Sequence, residues 1–286
     1  ILFMNTDGSV QSTVEIDNTA INGPTLNVQD RFGWSVANIG DLDGDGVNDL
    51  ASGAPLDRAR DQGAVHIMFM NTDGSIKSSE ESDSGTLNHC TSNTYDYLGT
   101  SIAGIGDLDG DGVNDMAVGA WGDDGQGSNR GAVRIMFMDT NASVKSCVEI
   151  NDSTANGPDL AGNDDFGIAV ANIGDLDGDG VNDLAAGATG VNAEPAGANR
   201  GAVHIMFMNT DGSIKSTVEI NTETTNGPTL ANTDKFGYGV TEIGDLDGNC
   251  VNDLAVGAPQ DDMDENGVAD GANNRGTVHI IFMEDE

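Results

Sequence analysis

The sequence predicts an all-β protein: a β-propeller of four-stranded antiparallel blades, with about four blades in this chain. An acidic, glycine-rich motif recurs four times at nearly constant spacing, which indicates a repeat architecture. Short apolar and β-branched runs alternate with Gly, Asn, Asp and Pro, the pattern of strands and turns. One run in each repeat is apolar on both faces, as expected of a sheet that packs between two others. A parallel β-helix is the structural alternative, although its coils are usually shorter than this period.

The acidic motif sets the phase of the repeat. Its string, Gly-Asp-Leu-Asp-Gly-Asp-Gly-Val-Asn-Asp, occupies residues 40–49, 106–115 and 174–183, and returns with two changes at 244–253. The first aspartates of the four copies are therefore 66, 68 and 70 residues apart. We place the repeat units approximately at 1–20, 21–85, 86–155, 156–225 and 226–286.

Each full unit contains four predicted strands. The first strand precedes the acidic loop, at 35–39, and consists largely of small and β-branched residues. The second follows the loop at 50–54, and the third is the strongly apolar segment 63–70. A turn at 71–74 leads to a fourth, weaker strand, which is represented by 217–220 in a later unit.

The two ends of the chain each carry a predicted third strand. The leading unit, 1–20, holds only a third and a fourth strand, and the last unit lacks a fourth. Either the leading segment supplies the missing strand and closes a ring, or the chain is part of a larger propeller or array. We favour the second interpretation.

Two further motifs flank each acidic loop. An aromatic residue or leucine followed by glycine stands nine residues before it, and a Gly-Ala pair follows it. Phe-Gly, acidic loop and Gly-Ala-Pro together resemble the FG-GAP repeat of the β-propeller in integrin α chains. The resemblance covers essentially the whole chain, and it implies FG-GAP-type blades that hold calcium between their first two strands. Four residues depart from the pattern: Leu98, Trp121, Thr189 and Cys250.

Calcium prefers six to eight oxygen ligands, and each loop offers side-chain oxygens at positions 1, 3, 5 and 9 and a backbone carbonyl at position 7. Glycine at position 6 permits the positive φ that the bend requires. The leucine at position 2 is expected to anchor the loop to the core. We predict four calcium sites with these ligands: Asp41, Asp43, Asp45, Val47, Asp49; Asp107, Asp109, Asp111, Val113, Asp115; Asp175, Asp177, Asp179, Val181, Asp183; Asp245, Asp247, Asn249, Val251, Asp253.

The fourth loop is expected to bind calcium most weakly. Asn249 removes a negative charge, and Cys250 stands where the other loops have glycine. A further candidate calcium loop lies out of phase at 262–270, where an acidic solvated loop is the alternative. Its ligands are predicted to be Asp262, Asp264, Asn266, Val268 and Asp270.

The charge balance excludes several classes of partner. Lys and Arg number 11 against 48 Asp and Glu, which gives a formal net charge of −37. Such a chain repels nucleic acid and anionic lipid surfaces and attracts cations or basic partners. Its apolar runs are far shorter than the ~20 residues needed to cross a bilayer.

We predict a non-enzymatic calcium-binding module for adhesion, ligand binding or structural assembly, because the motifs of common hydrolases, zinc proteases and phosphate-binding loops are absent from the sequence. The integrin resemblance implies an extracellular or cell-surface location and a protein or glycan ligand. Self-association and contact with neighbouring repeats of a longer chain are further expectations. The alternatives are a lyase-like, calcium-dependent enzyme that acts on polysaccharides, and a lectin.

Unit 86–155 carries an unusual group of aromatic residues around its loops. In integrin-like propellers, the corresponding loops line the face that meets ligands, and exposed aromatic side chains suit protein or glycan contacts. Ordinary loop packing is the alternative for these residues. The predicted ligand-binding residues are His89, Tyr95, Tyr97 and Trp121.

Other repeated residues have structural interpretations. His66, His204 and His279 share one repeat position, which Arg134 fills in the remaining unit, and we expect packed strand residues there rather than a ring of metal ligands. The methionine pairs of the third strands are expected to fill the core between blades. Cys90 and Cys147 are candidates for a disulfide, but the sequence does not establish their distance.

Overall fold

A computed structural model describes residues 1–58, 61–83, 85, 92–124, 128–191, 199–261 and 275–284 of the protein. These residues form seventeen β-strands and no helix. Consequently, nothing in the described part of the chain is a helix long and apolar enough to span a membrane.

Five antiparallel sheets contain these strands, and in each sheet neighbouring strands follow one another along the chain. Three sheets have four strands, one has three and one has two. Their bounds, sheet by sheet, are β1 (Leu2–Met4) and β2 (Val10–Thr13); β3 (Val36–Gly40), β4 (Asp49–Ala54), β5 (Ala64–Met70) and β6 (Ile76–Asp83); β7 (Ile102–Gly106), β8 (Asp115–Ala120), β9 (Ala132–Met138) and β10 (Val144–Ile150); β11 (Phe166–Gly174), β12 (Asp183–Ala188), β13 (Ala202–Met208) and β14 (Ile214–Ile220); β15 (Gly239–Glu242), β16 (Leu254–Ala258) and β17 (Thr277–Ile281).

The last four of these sheets are the blades of a β-propeller, and we number them one to four. The first strand of each blade contacts the first strand of the next, from β3 to β7, β7 to β11 and β11 to β15. The predicted all-β propeller of four-stranded antiparallel blades is thus confirmed.

The hydrophobic core lies between the blades. Along β5, side chains alternate between two faces of the sheet. Val65, Ile67 and Phe69 belong to the cluster shared with blade two, whereas Met68 and Met70 pack on the opposite side with Ile76. Because β5, β9 and β13 are covered on both faces, their residues are apolar except for His66, Arg134 and His204, and their methionines are core residues as predicted.

The glycines of the flanking motifs meet where two blades touch. A Cβ atom built on Gly53 would lie 1.8 Å from the carbonyl oxygen of Gly99 in the following blade. The same approach joins Gly119 to Gly167 at 1.9 Å. A side chain at either position would therefore push the blades apart, which explains why Phe-Gly and Gly-Ala recur together.

The leading strands β1 and β2 pair only with each other among the described residues, with Leu2 opposite Thr13. They lie against blade one, where Leu2 and Val14 line a cavity of about 480 Å³ together with Val36. Blade four contains β15, β16 and β17, and no described strand pairs with the outer edge of β17. Among the described residues, β2 thus pairs with β1 and not with β17.

Candidate cation-binding loops

Each acidic loop connects the first and second strands of its blade, at equivalent positions in all four blades. The loop of blade one runs from the end of β3 at Gly40 to the start of β4 at Asp49. Since successive blades repeat the same connection, the four loops lie at the same end of the propeller.

The first aspartate of the loop curls the backbone around its own carboxylate. In blade one, Oδ1 of Asp41 accepts hydrogen bonds from the amides of Gly44 at 2.8 Å and Asp45 at 3.0 Å. Its Oδ2 accepts one from the amide of Gly46 at 2.7 Å. Asp107, Asp175 and Asp245 make equivalent bonds. Loop shape is therefore determined locally by short-range side-chain to backbone bonds.

The ninth residue ties the loop to the sheet. Both oxygens of the fully buried Asp49 accept backbone hydrogen bonds, from Leu42 in the loop and from Met70 at the end of β5, each at 2.9 Å. The equivalent Asp115 accepts from Leu108 and Met138. Burial raises the pKa of Asp115 to about 6, and it also raises the pKa of Asp49. A nearby cation would therefore stabilise the ionised form of these buried carboxylates.

Carboxylate oxygens converge in every loop. In blade one, Asp41, Asp43 and Asp45 each place one oxygen within 4.8 Å of the others. In the other three blades, the converging oxygens come from positions 1, 3 and 9: Asp107, Asp109, Asp115; Asp175, Asp177, Asp183; Asp245, Asp247, Asp253. All the donors are oxygens, the donor type that calcium and other hard cations require, so the residues present fit such an ion.

Three of the loops already contact a cationic side chain. Nζ of Lys77, on β6, lies 3.0 Å from Oδ2 of Asp43 and forms a shorter ion pair with Asp45. This bond holds the pKa of Asp45 below its ordinary value. Lys145 and Lys215 make the same contacts in blades two and three. The sequence-based prediction did not include these lysine contacts, although one lysine recurs at the same position of the fourth strand in three units.

The fourth loop differs from the other three. Nδ2 of Asn249 donates to the backbone carbonyl of Met283 at 2.7 Å, where the other loops have a lysine contact. Cys250 has a φ of 70°, which confirms the predicted positive φ at this non-glycine position. Leu246 is 58% exposed, so the expectation that position 2 anchors every loop is wrong here, because no described element covers this side of blade four. The candidate calcium loop at 262–270 lies outside the described residues.

Comparisons with known proteins agree with this geometry. The family model described as "FG-GAP repeat" matches residues 32–68 and 166–206, which cover the acidic loops of blades one and three. Integrin alpha-V of Gallus gallus is 30% identical over 262 residues, which is 88% of this chain and 22% of that protein. The chain is an FG-GAP repeat protein, similar to integrin alpha chains.

Two shorter matches fall in the same group of relatives. Integrin alpha pat-2 of Caenorhabditis briggsae is 40% identical over 92 residues, 32% of this chain and 7% of its own length. Integrin alpha-5 of Xenopus laevis is 43% identical over 94 residues, 33% of this chain and 9% of that protein. The FG-GAP chain therefore spans less than a quarter of the length of these curated relatives.

The predicted ligand-binding aromatics lie together in the FG-GAP structure. The rings of Tyr97 and Trp121 stack at 4.8 Å between centroids with an interplanar angle of 2°. The exposed Tyr95 lies 6.5 Å from Tyr97, tilted by 46°. His89, the fourth residue of that prediction, lies outside the described residues.

The repeated histidine position of the FG-GAP blades is buried in the first three. His66 and His204 pack edge-to-face on Phe32 and Phe166, and Arg134 is fully buried in blade two. The prediction of packed strand residues is thus confirmed for both histidines. Cys147 is disulfide-bonded and Cys250 is a free, exposed thiol, whereas Cys90 lies outside the described residues.

Proposed function

We propose that this chain is a non-catalytic, calcium-binding module of an extracellular or cell-surface protein, used in adhesion, ligand binding or structural assembly. The observation that carries the proposal is the fourfold recurrence of an oxygen-only loop between the first two strands of each blade. The similarity to integrin alpha chains supports the adhesive and extracellular part of the proposal.

In each loop, the carboxylates at positions 1, 3, 5 and 9 and the carbonyl at position 7 would hold the ion, with Asn249 at position 5 of the last loop. Bound calcium would neutralise the converging negative charges. Asp49 and its equivalents, which already bond to the loop and to the third strand, would transmit this stabilisation to the sheet. Mg²⁺ fits less well, because it demands tight octahedral geometry and resists dehydration.

Isothermal titration of the chelator-treated protein with Ca²⁺ tests the calcium sites. We expect at least four equivalents of bound calcium, one for each in-phase loop. The variant Asp109→Asn should lose one equivalent. Asp73→Asn is the matched control, since Asp73 is an exposed turn residue that bonds to Ser75 and belongs to none of the clusters. Unchanged stoichiometry in Asp109→Asn would contradict the assignment of the loop of blade two.

A lectin is the second candidate function, and the aromatic cluster of blade two favours it. The stacked rings of Tyr97 and Trp121, with the exposed Tyr95 beside them, present π surfaces of the kind that contact sugar rings. Binding of a glycan library to the protein and to Tyr95→Ala tests this function. Loss of a bound glycan in the variant, without turnover, supports a lectin. Cleavage of an acidic polysaccharide by the wild type would instead support the lyase-like alternative.

A further inference from the structure

Blades one and two carry different residues at the same buried position of the third strand, His66 in blade one and Arg134 in blade two. In blade two, the buried guanidinium of Arg134 lies among three carboxylates: Asp96 at 3.2 Å, Asp123 at 2.9 Å and Glu149 at 3.2 Å. The guanidinium thus compensates the buried carboxylates of Asp96 and Asp123 and the partly exposed carboxylate of Glu149.

In blade one, a histidine replaces that cation but the acids remain. His66 pairs in register with Glu81, as Arg134 does with Glu149. The amide of Asp57 bonds to the carbonyl of Ala54, as that of Asp123 does to Ala120. Asp57, His66 and Glu81 bring ligand atoms within 4.8 Å of one another, so blade one keeps the anionic pocket without its internal guanidinium.

Two buried polar atoms in this pocket have no hydrogen bond. Nε2 of His66 and Oδ2 of Asp57 lie 3.4 Å apart, and neither makes a hydrogen bond within the described structure. His66 is 1% exposed and Asp57 is 3% exposed. Buried polar atoms are rarely left without a hydrogen-bond partner, because burial removes their hydrogen bonds to water. Their separation matches the ~3.3 Å between two ligands of a tetrahedral zinc ion, each about 2.0–2.1 Å from the metal.

The charge and the access of the pocket also suit a cation. Arg58 bonds to Oε1 of Glu81 at 2.8 Å and pairs with Asp83 through its guanidinium, whereas its contact with Asp57 comes from the backbone amide. A cation bound there would meet the carboxylates of Asp57 and Glu81 together with the imidazole of His66. A surface cavity of about 370 Å³ is lined by His66 and Glu81 and connects the pocket to solvent.

We propose that Asp57, His66 and Glu81 form a binding site for a borderline divalent metal ion of the zinc class, with water as a fourth ligand. An imidazole nitrogen combined with carboxylate oxygens is a donor set for zinc and similar transition metals, whereas calcium selects oxygen alone. The site is separate from the acidic loops, since its residues lie on β5, on β6 and in the connection between β4 and β5.

The other blades supply internal comparisons. In blade three, Val191 bonds to Ala188 as Asp57 bonds to Ala54, so His204 has no carboxylate at that position. Both of its nitrogens are buried without a hydrogen bond, and no metal-ligating cluster of the described residues includes it. In blade four, Asp261 lies 3.7 Å from His279, but no such cluster includes either residue. Only blade one therefore combines the histidine with two converging carboxylates in the described part of the chain.

Titration with Zn²⁺, and with Co²⁺ as a spectroscopic probe, tests the proposal. The protein is first saturated with Ca²⁺ to fill the acidic loops, and all variants carry Cys250→Ser because an exposed thiol would itself bind these metals. We expect one equivalent to bind with a shift of the His66 imidazole ¹⁵N resonances. Binding without any effect on His66, or the absence of a bound equivalent, would overturn the proposal.

Reciprocal substitutions provide the matched controls. His66→Arg copies the internal cation of blade two, so it should fold and lose the bound equivalent, whereas His204→Gln should retain it. Arg134→His should gain a second equivalent, because Asp96, Asp123 and Glu149 remain. If His66→Arg does not fold, Glu81→Gln in the Cys250→Ser protein should weaken metal binding at least tenfold. Full metal binding by folded His66→Arg, or by folded Glu81→Gln, would rule out this site.

Discussion

Nη2 of Arg134 lies 2.9 Å from Oδ2 of Asp123, in a fully buried ion pair that joins the third strand of blade two to the loop before it. Asp96 and Glu149 complete the set of carboxylates around this guanidinium. Removing this guanidinium would therefore take away the cation that these three carboxylates share.

Replacing Arg134 is expected to destabilise the protein strongly. Arg134→Met should reduce the free energy of unfolding by about 3–5 kcal/mol, because an uncompensated buried charge costs more than a missing contact. Urea denaturation followed by tryptophan fluorescence measures the change. The double variant Arg134→Met with Asp123→Asn should recover part of the loss, and a single variant as stable as the wild type would contradict the structure of this site.

Calcium removal should lower the melting temperature. A ligand present at a hundred times its Kd stabilises the folded state by about 2.7 kcal/mol for each site, so chelation removes that amount from every loop it empties. Differential scanning calorimetry in Ca²⁺ and in EGTA measures the shift, with Mg²⁺ restoring less of the stability than Ca²⁺. Identical transitions in Ca²⁺ and EGTA would show that the acidic loops do not stabilise the blades through calcium.

The loop lysines should oppose calcium binding while stabilising the metal-free loops. Lys145→Gln removes the ammonium that lies 3.2 Å from Asp109. Calcium affinity of that loop should rise, and the stability of the chelated protein should fall by a few tenths of a kcal/mol, typical of a surface ion pair. Calorimetric titration and urea denaturation in EGTA measure the two effects.

Lys235→Gln is the matched control for this lysine prediction. It removes the same charge but has no contact with an acidic loop, because Lys235 precedes β15 and lies near Asp165. A loss of calcium affinity in Lys145→Gln would show that the lysine helps to hold the loop for the ion rather than competing with it.

Relief of backbone strain should stabilise blade four. Cys250 has a φ of 70°, a conformation that glycine adopts without steric cost. Cys250→Gly should raise the free energy of unfolding by about 1 kcal/mol and strengthen calcium binding in this loop. Cys250→Ala removes the thiol but keeps the strained side chain, so thermal denaturation of the two variants separates strain from sulfur chemistry. Equal stability of both variants would contradict the strain explanation.

Stability should fall in mildly acidic solution because of His204. Burial lowers the pKa of His204 to about 4, whereas an unfolded histidine titrates near 6.5. The unfolded state therefore binds an extra proton between these values, so this contribution to stability is complete above pH 6.5 and is lost as the pH falls towards 4. The loss should total about 3 kcal/mol.

His204→Leu isolates this contribution. Compared with the wild type, the variant should lose less stability between pH 7 and pH 4.5, which urea denaturation at each pH measures. The comparison cancels the titration of carboxylates that both proteins share. Parallel pH profiles would show that His204 is not the group responsible.

The sequence by itself determined the period, the blade type and the positions of the acidic loops, because these features depend on residues close together in the chain. Phe-Gly, the acidic string and Gly-Ala recur in phase, and the carboxylate of Asp41 bonds to amides only three to five residues away. The fourth strand was underestimated, since β14 extends over Ile214–Ile220 where its alternating polar residues weaken the strand signal.

Only the tertiary structure decided which charged groups meet. Lys77 reaches Asp43 across 34 residues, Arg134 reaches Asp96 across 38, and Gly53 touches a backbone carbonyl of the next blade. His66 and Arg134 occupy the same repeat position. Arg134 forms an ion pair with Asp123, whereas Nε2 of His66 makes no hydrogen bond within the described residues. Contacts of this kind arise from the packing of strands and blades, and distance along the chain carries no information about them.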